Sequence, residues 1–113
     1  MNAEQLHILW TNDNPITSEL MVMMYAKAAM ERKMWNAVTV IIWGATAKFV
    51  AEDIHMQHLI AEAQEAGVEF SACETCARRL DVKEQLGNLG IELKSWGIPL
   101  TELIKGKEHL ITI

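Results

Sequence analysis

The chain has 113 residues, of which 50% are hydrophobic and 22% charged, with a net charge of −5 and a mean hydropathy of +0.07. This composition suits one folded domain with a modest core and excludes a disordered chain. The acidic balance leaves no electrostatic footprint for a nucleic-acid backbone, no basic amphipathic stretch suggests a membrane surface, and no apolar run nears the ~20 residues that span a bilayer.

Leu6-His7-Ile8-Leu9-Trp10 reads as a short strand, closed by the turn-forming Asn12-Asp13-Asn14-Pro15. Asn14 or Thr17 can cap the helix that follows from about Ser18 to Lys33, where Leu20, Met24, Ala28 and Met30 fall near helical spacing. Ala37 to Trp43 is β-branched and continuous enough for a strand buried on both faces, and Gly44 breaks it. A second long helix is predicted from Asp53 to Ala66, with Gly67 as its stop. Val68 to Ala72 makes a third strand. Glu74 to Leu89 reads as helical, broken near Asp81-Val82 and closed by Gly90. Ile91 to Trp96 is a fourth strand, Pro99 suits the first turn of a short helix ending near Lys105-Gly106, and His109 to Ile113 is a fifth strand. Strands alternating with helices predict a parallel sheet with helices on both faces.

The opening Met1-Asn2-Ala3-Glu4-Gln5 lacks the basic leader of a secretory signal, so a cytoplasmic, reducing compartment is expected. The two cysteines are then thiols at rest. Seven methionines and four tryptophans are many for so small a domain. Part of that apolar surface is expected in a subunit interface, which predicts a homo-oligomer.

Cys73 and Cys76 lie where the third strand gives way to a helix. Ligands and chemistry collect at the carboxyl ends of parallel strands, and a thiol at a helix start feels the positive end of the helix dipole. Both effects favour the nucleophilic thiolate. Arg78 and Arg79 add to them and Glu69 and Glu74 oppose them, so the net shift is not readable here. The plainer alternative is that both cysteines fill the core, where free cysteines usually reside. A C-x-x-C in such a chain also suggests dithiol redox chemistry, although a thioredoxin fold would bring a different strand order and a Trp-Cys start.

The blocks Ile41 to Lys48, Ala51-Glu52-Asp53, Gly67 to Ala77, Leu89 to Leu93 and Trp96 to Glu102, together with the terminal Leu110 to Ile113, make the sequence resemble the DsrE/DsrF family nearly end to end. The resemblance implies a three-layer α/β/α sandwich with a five-stranded parallel sheet, assembled into homotrimers or homohexamers. It also implies that a cysteine after the third strand carries sulfane sulfur as a persulfide between donor and acceptor proteins. The position of that cysteine matches Cys73, and Cys76 matches a second cysteine found in some members only. Asp81 stands where the family usually has glycine, a position an aspartate can occupy because it tolerates turn conformations. Sulfur-relay subunits work as hetero-oligomers, whereas this sequence resembles the broader stand-alone members.

Other residues compete with the cysteine pair for a functional role. Thr46 and Lys48, after the second strand, can bind an anion or orient a sulfur species at the same sheet edge, or simply cap and solvate the next helix. His55 and His58 with the two cysteines form a nominal zinc set, but nothing in the spacing brings the histidines to the strand end, so no metal is predicted. Glu52 and Asp53 read as first-turn acids of the second long helix. Trp10, Trp43 and Trp96 fall near strand ends, where they line a pocket, fill the core or meet a neighbouring subunit. No glycine pattern for nucleotide phosphates is present, so no cofactor is predicted. Three functions from different classes follow: a persulfide carrier or sulfurtransferase-like protein acting through Cys73, a non-catalytic interaction module with structural cysteines, and a Cys73/Cys76 redox switch.

Overall fold

The computed structural model describes residues 4–113, so residues 1–3, on which part of the reading of the opening five residues rests, lie outside the described residues. The chain runs β1 (Gln5–Trp10), α1 (Pro15–Thr17), a π-helical stretch (Ser18–Met23), α2 (Met24–Glu31), β2 (Ala37–Ile42), α3 (Ala45–Glu52), α4 (Ile54–Glu65) and β3 (Glu69–Cys73). It continues through α5 (Glu74–Arg79), α6 (Lys83–Asn88), β4 (Glu92–Lys94), α7 (Gly97–Lys105) and β5 (Leu110–Thr112). Among the described residues no helix is long and apolar enough to cross a membrane.

The five strands are all parallel and lie in the order β4-β3-β2-β1-β5. From β1 to β4 the chain steps three times in one direction across the sheet, then returns past its start to place β5 beside β1. Right-handed crossovers put every helix of the first three steps on one face and α7 alone on the other. Helices α2, α3, α4, α5 and α6 accordingly pack on one another. Alternate strand residues face them: Leu6, Ile8 and Trp10 from β1, Val38, Val40 and Ile42 from β2, Phe70 and Ala72 from β3. These join Val22, Ala26, Val50, Met56, Ile60 and Leu86 in the main core.

The opposite face carries His7, Thr39, Ile41, Ser71 and Cys73. Trp96 lies over it, donating from Nε1 to Ser71 Oγ at 2.8 Å, and Ser71 donates to Glu92 Oε1 at 2.9 Å. Burial there pushes the His7 imidazole below its ordinary pKa, with Lys94 acting in the same direction and Glu108 and Glu69 against it.

Several expectations shift at their edges. The first long helix starts at Pro15, three residues earlier than composition suggested, because Asn14 Oδ1 accepts the N–H groups of Ile16 and Thr17 at 3.0 Å each. The residues between Gly44 and Asp53, left without an element by the sequence reading, form α3. Glu52 is therefore the last residue of α3 and not a first-turn acid, while Asp53 caps α4 by accepting the Met56 N–H at 2.8 Å. The predicted break falls at Asp81, whose φ of 58° is the left-handed turn geometry that glycine adopts most easily.

Candidate active site

Three chain segments leave the carboxyl ends of β1, β2 and β3 and enclose a cavity of about 710 Å³, within the range of small-molecule sites. Asp13 comes from the turn after β1, and Gly44, Ala45, Lys48, Phe49 and Glu52 from the cap and inner side of α3. Cys76, Arg79 and Leu80 come from α5 and its end.

The turn that presents Asp13 is held by its own side chains. Asn12 Oδ1 accepts the Asn14 N–H at 2.8 Å, and the Asn12 carbonyl accepts from Trp10 Nε1 at 2.8 Å and from Ser18 Oγ at 2.9 Å. Ser18 Oγ also accepts the Trp10 N–H at 3.1 Å, so the buried serine closes a triangle at the start of the π-helical stretch. The Trp10 ring meets Phe49 edge to face, with centroids 6.4 Å apart and planes at 82°, and so backs the cavity wall.

Gly44 shapes the other side. Its φ of 72° and ψ of −133° suit glycine alone, while the space beyond its Cα is open. The conformation turns the Gly44 N–H onto Cys76 Sγ at 3.4 Å.

Of the two thiols, Cys76 opens into the cavity, half-buried, whereas Cys73 closes the interior strand β3 and is 6% exposed. The sequence reading gave Cys73 the leading role; the structure puts Cys76 at the surface of the cavity and Cys73 beside it. Neither forms a disulfide. Burial pushes the Cys76 thiol above its ordinary pKa, and the neighbouring Cys73 pushes the same way. The Gly44 N–H and the Arg79 charge pull against them and do not prevail. The site therefore holds a thiol at rest, with two features that favour its anion close at hand.

The other expected site residues divide. Lys48 lines the cavity. Thr46 does not reach it: the residue is fully buried, its hydroxyl donates to the Trp10 carbonyl at 2.8 Å, and it lies 3.0 Å from the Trp43 carbonyl and 3.2 Å from the Trp43 N–H. With its hydrogen bonds spent on the ends of β1 and β2, Thr46 ties the cavity floor together and is not offered to a ligand. Thr46→Val should cost about 0.5–1.5 kcal/mol in a denaturant titration, because the Trp43 N–H and the Trp10 carbonyl, which also bond each other at 3.2 Å, lose a shared partner. A loss below about 0.5 kcal/mol would mean that water replaces the hydroxyl.

The histidines stay apart from the cysteines: His55 pairs with Glu19 at 3.0 Å, and His58 is exposed. Among the described residues no group of three or more His, Cys, Asp or Glu is placed to hold a metal ion. Asp13 and Phe49 have no site role in the sequence reading, and Glu52 has only that of a first-turn helix acid. The signal for the last two was the spacing Ala45, Lys48, Phe49, Glu52, which lies on one side of a helix once that helix is recognised.

The chain is 39% identical to a conserved protein of unknown function from Bacteroides thetaiotaomicron, with a TM-score of 0.95 over 97% of this chain and 95% of that one. A protein of unknown function from Methanobacterium thermoautotrophicum shares the fold at 15% identity, with a TM-score of 0.76 over 96% of this chain and 98% of that one. No curated protein matches the chain. The DsrE/DsrF-like family pattern matches residues 8–113, which takes in the second half of β1, every later strand and the whole cavity, and the chain belongs to that family.

Proposed function

We propose that the protein is a sulfur carrier whose cavity thiol accepts sulfane sulfur as a persulfide and passes it to an acceptor thiol. One observation carries this reading: Cys76 opens into a cavity at the carboxyl edge of the sheet, with the Gly44 N–H on its sulfur and a second thiol beside it. Membership of a family named for sulfur-relay proteins agrees with it. A packing role fits Cys73 but not a thiol that lines a cavity.

In loading, the Cys76 thiolate attacks the outer sulfur of a donor persulfide. A bond forms between Cys76 Sγ and that sulfur, the donor's S–S bond breaks, and the donor leaves as a thiol carrying the persulfide's proton. Delivery repeats the exchange, with the acceptor's thiolate attacking the outer sulfur and Cys76 returning as thiolate. Neither step oxidises or reduces the pair overall. A persulfide is a stronger acid than its parent thiol, so the loaded form ionises more readily, at its outer sulfur, while the Gly44 N–H contacts the inner one, Sγ. Cys73 provides a second exit. Its thiolate can attack Cys76 Sγ of the persulfide, releasing hydrosulfide and leaving a Cys73–Cys76 disulfide that a reducing thiol reopens.

The exposed Ile16, Leu20, Met24, Ile54, Ile98 and Ile104 support assembly with copies of the same chain, as a homotrimer or homohexamer in the cytoplasm serving sulfur donors and acceptors. Native mass spectrometry of the reduced protein, before and after inorganic polysulfide, tests both parts. The expected spectrum is an oligomer with one added sulfur per chain, mapped to Cys76, and no addition at that site in Cys76→Ser. Equal loading of Cys76→Ser and wild type would remove Cys76 from the mechanism, and a monomer would remove the assembly.

A further inference from the structure

The charges around Cys76 do more than thiol chemistry requires. Asp13 and Glu52 bring two carboxylates to the cavity, and Lys48 and Arg79 two cations. All four residues are exposed, and no side-chain hydrogen bond or ion pair ties any of them to another described residue. Lys48 and Glu52 stand one helical turn apart on α3, within reach of each other though in the less favoured order for pairing, and remain separate. Nearby, Glu74 lies 3.9 Å from Arg78 and 3.8 Å from Lys83, so pairing does occur just outside the cavity.

A single unpaired charge on a convex surface needs no explanation. Unpaired charges of both signs around one concave site, above apolar lining from Ala45, Phe49 and Leu80, select for a ligand that carries both signs itself. Arg79 follows Cys76 by one turn of α5, so one cation shares a helix side with the thiol. An inorganic polysulfide is wholly anionic and meets Asp13 and Glu52 unfavourably, and a simple alkyl persulfide uses none of the four charges.

We propose that the sulfur donor for this cavity is a small zwitterionic persulfide of the amino-acid or short-peptide class, its ammonium held by Asp13 and Glu52 and its carboxylate by Lys48 and Arg79. The proposal rests on the sulfur-carrier reading of Cys76. The exchange is the one described above: the outer sulfur moves to Cys76 Sγ, and the amino acid or peptide leaves as its free thiol with the proton. No further oxidant or reductant enters.

Loading of the full-length reduced protein, followed by mass spectrometry, separates the cases when four donors are titrated. They are cysteine persulfide, its N-acetyl form without the ammonium, its methyl ester without the carboxylate, and inorganic polysulfide. At equal, sub-saturating concentration cysteine persulfide should load Cys76 at an initial rate about 3- to 10-fold higher than either blocked form, the range that two exposed charge pairs give together. Asp13→Asn with Glu52→Gln should erase the advantage over the N-acetyl form, and Lys48→Gln with Arg79→Gln the advantage over the ester. These positions are exposed, so the variants should fold. Equal initial loading rates for the three cysteine donors, or an advantage that survives the charge removals, overturns the donor class. If polysulfide then still loads Cys76, the carrier reading stands without it, whereas failure of all four donors overturns both.

Discussion

Iodoacetamide applied to the folded, reduced protein should modify Cys76 at least about tenfold faster than Cys73. Access sets the order: Cys76 lines an open cavity, and Cys73 is 6% exposed at the end of an interior strand. The same experiment carries a pH signature. Only the thiolate reacts, and burial, with Cys73 in support, holds the Cys76 thiol above its ordinary pKa. The rate should therefore keep rising through the ordinary thiol range and not level off near neutrality. Removing the Arg79 charge in Arg79→Gln takes away one influence that favours the anion, so at fixed pH the rate should fall a further two- to five-fold, the scale of an exposed charge interaction. Faster modification of Cys73, or a rate already flat at neutral pH, would contradict the exposure and the shift respectively. In the denatured protein the two thiols should react alike, which confirms that the fold makes the difference.

That contrast marks where the sequence stops being informative. Alternation of β-branched runs with helix-forming stretches was enough to place all five strands, because the period and the turn residues around them are local properties. The strand-to-helix position of the cysteine pair was legible for the same reason. Which thiol faces outward was not: Cys73 pairs in register with Lys94 on β4, and that coverage depends on a strand far along the chain. Helix α3 was missed because Ala45–Glu52 is short and carries no side-chain N-cap, its start being set by the backbone of Gly44. With α3 unseen, Phe49 and Glu52 had no helix side to share with Lys48, and the cavity could not be assembled. Thr46 misled in a different way. A threonine after a strand reads as a cap or a ligand group, and its hydroxyl is instead committed to Trp10, across the sheet. The Asp81 turn ran the other way, since the intrinsic tolerance of aspartate for positive φ needed no tertiary information.

Trp10→Ala should remove about 3–5 kcal/mol of stability, against the 5–15 kcal/mol that holds a typical domain together. Trp10 is completely buried at the end of β1, and three functions meet in its side chain. The ring fills the core between sheet and helices, its edge-to-face contact supports Phe49, and its N–H joins the Asn12 carbonyl and Ser18 hydroxyl that fix the turn before Pro15. Truncation leaves a cavity and takes the indole donor from Ser18 Oγ and from the Asn12 carbonyl, which keeps only the Ser18 hydroxyl. Trp10→Phe separates these contributions, because it keeps an aromatic ring and loses the N–H together with part of the volume. Its cost should be smaller, about 1–2 kcal/mol, and concentrated in the turn. Urea titrations of both variants give the magnitudes, and amide hydrogen exchange gives the location. In Trp10→Phe, protection should fall at Ile16 and Thr17, whose N–H groups depend on the Asn14 cap, and persist at Ile8 and Val40 in the sheet centre. If both substitutions cost the same, the ring's packing contributes little beyond its hydrogen bonds. Loss of protection spread evenly over the sheet in Trp10→Phe would mean that the turn is not a separate unit. The turn carrying Asp13 and the wall carrying Phe49 would then have to be held by something other than this tryptophan.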